Sequence, residues 1–125
     1  MLPNFLVSER VVREDGFSEA LEVPASSTPI LLTLGITRII EQESLEVQLF
    51  GSPDGASWGD KPLLRFPQKF YCGVYSLVLD TSGFPETRYI RAQWKVNRWG
   101  RGDAKPLFGF YLYAEPANSM AMAAS

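Results

Sequence analysis

Apolar residues recur at every second position along most of this chain. In 44–50, "SLEVQLF", Leu45, Val47 and Leu49 share one face, while Glu46, Gln48 and Phe50 take the other. That is the alternation of a half-buried strand. In 73–80, "GVYSLVLD", Tyr75, Leu77 and Leu79 oppose Val74, Ser76 and Val78, so both faces are largely apolar. In 88–96, "RYIRAQWKV", Ile90, Ala92, Trp94 and Val96 alternate with Tyr89, Arg91, Gln93 and Lys95. The segment 107–115, "LFGFYLYAE", sets Phe108, Phe110 and Leu112 against Tyr111 and Tyr113. Weaker alternation covers 5–13, 17–23 and 29–39, and a short strand is expected at 62–68. The stretch 36–44, "ITRIIEQES", is compatible with one helical turn through Ile36, Ile39 and Ile40 and equally with a strand followed by a turn.

Gly16, "PASSTP", "GSPDGASWGD", "FPQK", "DTSGFPE" and "NRWGRGDAKP" separate these segments with residues that supply the fixed or positive φ of turns. Seven to eight short strands so punctuated predict an all-β fold, an antiparallel β-sandwich of jelly-roll-like form. No repeat or linker divides the chain, so a single domain is expected over 1–116, with a small-residue, flexible tail at 117–125.

The break at 49–60 reads as a turn. Pro53 fixes φ at one corner, Asp54 can accept hydrogen bonds from amides ahead of it, and Gly55 tolerates left-handed geometry. A calcium loop would need several more oxygen ligands, and only Asp60 is near. Trp58 can then fold back over the apolar face of the strand before it, and Trp58 and Trp94 are the expected core anchors.

Read with its flanks, the turn resembles part of a known family. Ser52, Asp54, Gly55 and Trp58, followed by Arg88, Tyr89, Ile90 and Arg91 and then by a closing apolar strand, resemble residues of discoidin-like (galactose-binding-like) sandwiches, over about residues 44 to 114. The short form found in phage and phage-derived particle proteins has a similar cadence. The resemblance implies a jelly-roll sandwich in which those residues shape the turn and core. Longer, secreted discoidin domains carry an earlier tryptophan and a terminal disulfide; this chain has no Trp before position 58 and only one cysteine.

Composition narrows function. The 125 residues include no histidine and one cysteine, so nucleophile–base arrangements are poorly supplied. Cys72, within "YCGVYSLVL", is expected to be a buried free thiol. Carboxylate pairs such as Glu41 with Glu43, or Asp54 with Asp60, read as solvated acids rather than a hydrolytic pair. No catalytic residues, metal or cofactor are expected. No apolar run is long enough to span a membrane and no leader is evident, so a soluble, unexported chain is expected, made in the cytoplasm and open to incorporation in a virion or particle. Net charge is −2, but residues 1–60 hold 10 acids and 3 bases whereas 61–125 hold 4 acids and 9 bases. Such asymmetry favours head-to-tail contacts between copies unless the fold interleaves the halves.

One loop carries surplus chemistry. In 95–106, "KVNRWGRGDAKP", Lys95, Arg98, Arg101 and Lys105 surround Trp99, with Asp103 the only acid. Such a cationic, aromatic tip suits a sugar or another subunit; nucleic acid is disfavoured because little other basic surface accompanies it. Arg98, Trp99, Arg101, Asp103 and Lys105 are therefore the candidate contact residues. Together these features point to a non-catalytic protein that self-associates into, or decorates, a particle, ring or filament. A carbohydrate-binding module using the 95–106 loop is the alternative.

Overall fold

Period-two alternation matures into strands throughout. The computed structural model describes residues 3–23, 29–40, 43–59, 61–80, 84, 86–98 and 106–117. In chain order the strands are β1 (Asn4–Val12), β2 (Gly16–Phe17), β3 (Leu21–Glu22), β4 (Ile30–Ile39), β5 (Glu43–Ser52), β6 (Leu64–Arg65), β7 (Gly73–Leu79), β8 (Tyr89–Arg98) and β9 (Phe108–Pro116). They form two antiparallel sheets, ordered β1-β9-β4-β7 and β2-β8-β5-β6, with β3 also paired to β8. Residues 36–39 belong to β4, which settles the ambiguity there in favour of strand. No helix among the described residues is long and apolar enough to cross a membrane.

Among the described residues the sandwich has nine strands where the sequence predicts seven to eight, because the strand predicted at 17–23 is split. Between the pairs Phe17↔Gln93 and Leu21↔Ile90 one chain advances four residues and the other three, so an extra residue bulges from the ladder. Ser18 bridges the gap. Its N–H donates to the Ala92 carbonyl at 2.8 Å, and its Oγ accepts the Ala92 N–H at 2.9 Å. If β2 and β3 count as one interrupted strand, the sheets read first-eighth-third-sixth and second-seventh-fourth-fifth, the jelly-roll arrangement.

This order places every strand from the first half of the sequence beside strands from the second half. The acidic and basic halves are thereby interleaved: Glu46 stands opposite Lys95 and Glu43 opposite Arg98. Among the described residues the two halves therefore do not form a separate negative end and positive end.

Between the sheets lies one apolar core. Leu32, Leu34 and Ile36 of β4 and Phe108, Phe110 and Leu112 of β9 meet Leu45, Val47 and Leu49 of β5 and Ile90, Ala92 and Trp94 of β8. Trp94 is 4% exposed, lies edge-on to Phe110 at 5.5 Å, and donates its indole N–H to the Glu14 carbonyl at 3.1 Å. It is a core anchor, as expected. Trp58 is not: it is half-buried on the outer side of the second sheet, outside the core. Cys72 is exposed rather than buried, because it precedes β7 in a segment whose Tyr71 also faces solvent. Ala117 is buried and its N–H donates to the Pro29 carbonyl at 2.7 Å; the rest of the predicted tail, 118–125, lies outside the described residues.

Candidate functional site

The two motifs that flank the turn at 52–58 meet in space. Ser52 ends β5 directly opposite Tyr89, which begins β8, and the Arg88 N–H donates to the Ser52 carbonyl at 2.9 Å. Asp54 closes the turn: its Oδ1 accepts the N–H groups of Ala56 at 2.8 Å and Ser57 at 2.9 Å and the Ser52 hydroxyl at 2.9 Å. Ser52 Oγ in turn accepts the Gly55 N–H at 2.8 Å. These donors, the Ser57 and Ala56 amides foremost, hold the Asp54 carboxyl down at about 2. Gly55 sits at φ 80°, left-handed geometry that a residue with a Cβ adopts at a cost. Ile90 points inward and is buried in the core, while Tyr89 lies half-buried beside Gly55. The turn therefore acts as fold punctuation that also positions a tryptophan.

That tryptophan stacks on an arginine. The Arg91 guanidinium carbon lies 4.6 Å from the Trp58 ring centre and 4.5 Å from that of Phe17. Strand β8 runs between β2 and β5, so the two rings reach Arg91 from opposite flanks. Phe50 stands opposite Arg91 in the ladder, and Phe17, Gln93, Gln48 and Arg65 form a row across four adjacent strands. Arg91 belongs to the "RYIR" stretch, and the alternation puts Gln48 and Gln93 on the outward faces of their strands, but nothing in the sequence joined them to one another or to Phe17. Their juxtaposition depends on pairing between segments more than 30 residues apart.

The outer face of the other sheet is aromatic and aliphatic. Across it run Phe5 of β1, Tyr111 and Tyr113 of β9, Leu31 and Thr33 of β4, and Val74, Ser76 and Val78 of β7, brought together by the pairs Phe5↔Tyr113, Thr33↔Tyr113, Thr33↔Ser76, Leu31↔Val78 and Gly35↔Val74. Phe5 packs edge-on against Tyr113 at 4.8 Å and Tyr111 at 6.0 Å. Gly35 lets the Tyr111 ring lie flat on the sheet: a Cβ there would stand 2.2 Å from the ring. A shallow groove of about 430 Å³, lined by Phe5, Glu9, Thr33, Tyr111, Tyr113 and Glu115, opens on this face. Val74 is 65% exposed and Phe5 47%.

The predicted contact loop is described only at its base. Lys95 and Arg98 belong to β8; Trp99, Arg101, Asp103 and Lys105 lie outside the described residues. Opposite Arg98, Glu43 is buried, with Oε2 accepting the Ile40 N–H at 2.9 Å and Oε1 the Leu107 N–H at 2.7 Å. This carboxylate ties two chain crossings together; Glu41, its companion in the sequence, lies outside the described residues. Among the described residues no group of three or more His, Cys, Asp or Glu side chains is placed to hold a metal ion.

No protein-family model, curated protein or solved structure matches this chain.

Proposed function

We propose that this protein is a non-catalytic β-sandwich that works by self-association, building or decorating a larger particle, ring or filament. The observation that carries the reading is the outer face of the four-stranded sheet. In a solvated antiparallel sheet the outward positions are ordinarily polar, whereas here Phe5, Tyr111, Tyr113, Leu31, Val74 and Val78 make the outward face largely apolar from β1 to the edge strand β7, interrupted by Thr33 and Ser76. Contiguous exposed apolar surface marks a site of contact.

The edge itself favours a second copy as the occupant. Sheet edges are normally blunted by shortness, charge, proline or bulges. Strand β1 carries two register shifts together with Glu9 and Arg10, and β2, β3 and β6 are two residues long. Strand β7, "GVYSLVL", is seven residues long, without charge or proline, and pairs with β4 alone among the described strands. Laid antiparallel against β7 of a second copy, it continues both the ladder and the apolar face, and its lack of charge removes any self-repulsion. The resemblance to small sandwiches of phage particles points the same way, and jelly rolls serve capsid and lectin domains alike, an analogy of fold only.

Light scattering over a concentration series tests this. The wild type is expected to exceed monomer mass and to resist dissociation by salt, because the contact is apolar. The double variant Val74→Lys/Val78→Lys, altered at two exposed positions, is expected to be monomeric and to unfold cooperatively, with a melting temperature that no longer rises with protein concentration. A wild type that stays monomeric throughout, or a variant that associates as the wild type does, overturns the reading.

A further inference from the structure

On the opposite sheet, Arg91 is built in an unusual way for a structural arginine. Both aromatic neighbours stack on the guanidinium, its Nε is buried without a hydrogen-bond partner, and no acceptor among the described residues bonds its terminal amino groups. Arginines that merely brace a sheet ordinarily spend those N–H groups on a carboxylate or carbonyl. Here the rings hold the guanidinium plane fixed and leave its outer edge uncommitted, so the ordering cost of binding a planar anion is already met by the fold.

The surroundings narrow the anion. Gln93 lies two residues along β8 on the same face, with Gln48 directly opposite it, and neither amide is bonded by a described residue. Each offers both a donor and an acceptor, the pattern that hydroxyl groups require. Phe17, on the far side of Gln93, is 62% exposed and presents ring surface on which the C–H face of a sugar can rest. A planar carboxylate matches the guanidinium fork in bidentate fashion.

We infer that the Arg91 clamp, with Gln48, Gln93 and Phe17, is a binding site for a carboxylated sugar, a uronate or similar acidic residue of a glycan. The carboxylate bonds the outer N–H groups of Arg91, the ring hydroxyls bond the two glutamine amides, and the apolar sugar face lies on Phe17. Nucleic acid fits less well: the same face carries Glu22 and Glu46 beside its cations, and continuous phosphate binding needs a continuous basic track. The site uses the sheet opposite to the proposed self-association face, so the two readings stand or fall separately.

Titration of the whole protein with trigalacturonate, followed by NMR of the arginine and glutamine side-chain N–H groups, tests the assignment. The methyl ester of the same trisaccharide removes the charge and keeps the rings. Shifts at Arg91, Gln48 and Gln93 are expected with the acid, and affinity for the ester is expected to fall roughly tenfold to a hundredfold, the worth of a charge-assisted hydrogen bond. Arg91→Gln should bring a comparable loss, and Gln93→Ala, at a partly exposed position, a smaller one with the fold intact. Equal binding of acid and ester, or no shift with trigalacturonate, alginate or hyaluronan oligosaccharides at millimolar concentration, overturns the proposal. So does a response confined to oligonucleotides, which would assign the arginine to phosphate.

Discussion

Trp94 and Trp58 carry the same ring into opposite surroundings. Trp94 is enclosed by both sheets and hydrogen-bonded to Glu14, so Trp94→Ala should cost about 3–5 kcal/mol in denaturant unfolding. Trp58 is half-buried against Arg91, and Trp58→Ala should cost about 1 kcal/mol, the scale of a partly exposed cation–π contact. The alternation of "RYIRAQWKV" made Trp94 legible as core. For Trp58 the sequence pointed to the apolar face of the preceding strand and so to the core, whereas the ring lies outside the core against Arg91, because the turn fixes the return of the chain and not the side of the sheet that receives the ring. Asp54 adds a pH dependence. Its folded value, about 2, lies below the ordinary 3.8, so the ionised carboxylate favours folding at every pH above 3.8. That contribution declines as pH falls from 3.8 and is gone below about 2. The stability difference between wild type and Asp54→Asn, measured by denaturant unfolding at several pH values, should hold steady from neutrality to about pH 4 and shrink through that window.

Strands were the most legible elements, because burial on one side of a sheet imposes a period that local sequence displays. The split of the strand at 17–23 was not legible. It depends on Ser18 bonding Ala92, a residue 74 positions away. The connections between sheets hide a similar dependence. Glu43 begins β5 in one sheet and binds the amides of Ile40, just after β4, and Leu107, just before β9, both strands of the other. Both its oxygens accept, so Glu43→Gln would turn an amide donor toward one backbone N–H. The expected loss is about 1–3 kcal/mol, the cost of a buried group left unsatisfied, and chemical denaturation would measure it. Cys72 shows the limit of composition: an apolar neighbourhood in sequence suggested burial, but the residue falls just outside the strand that the neighbourhood builds.

At the scale of the whole molecule, adjacency decides what single strands leave open. That "GVYSLVLD" is apolar on both sides, and that Tyr111 and Tyr113 face away from Phe110, was visible residue by residue. Only the order β1-β9-β4-β7 joins those outward positions into one face and leaves β7 at its edge. The same order interleaves the charges of the two halves, so the association we propose rests on an apolar rather than an electrostatic contact. Hydrogen–deuterium exchange of the β7 amides at low and high protein concentration tests this most directly. If copies pair through that edge, amides within Gly73–Leu79 that exchange freely in dilute solution become protected as concentration rises, while those of β6 do not change. Exchange at β7 that is the same at every concentration would contradict self-association through this strand.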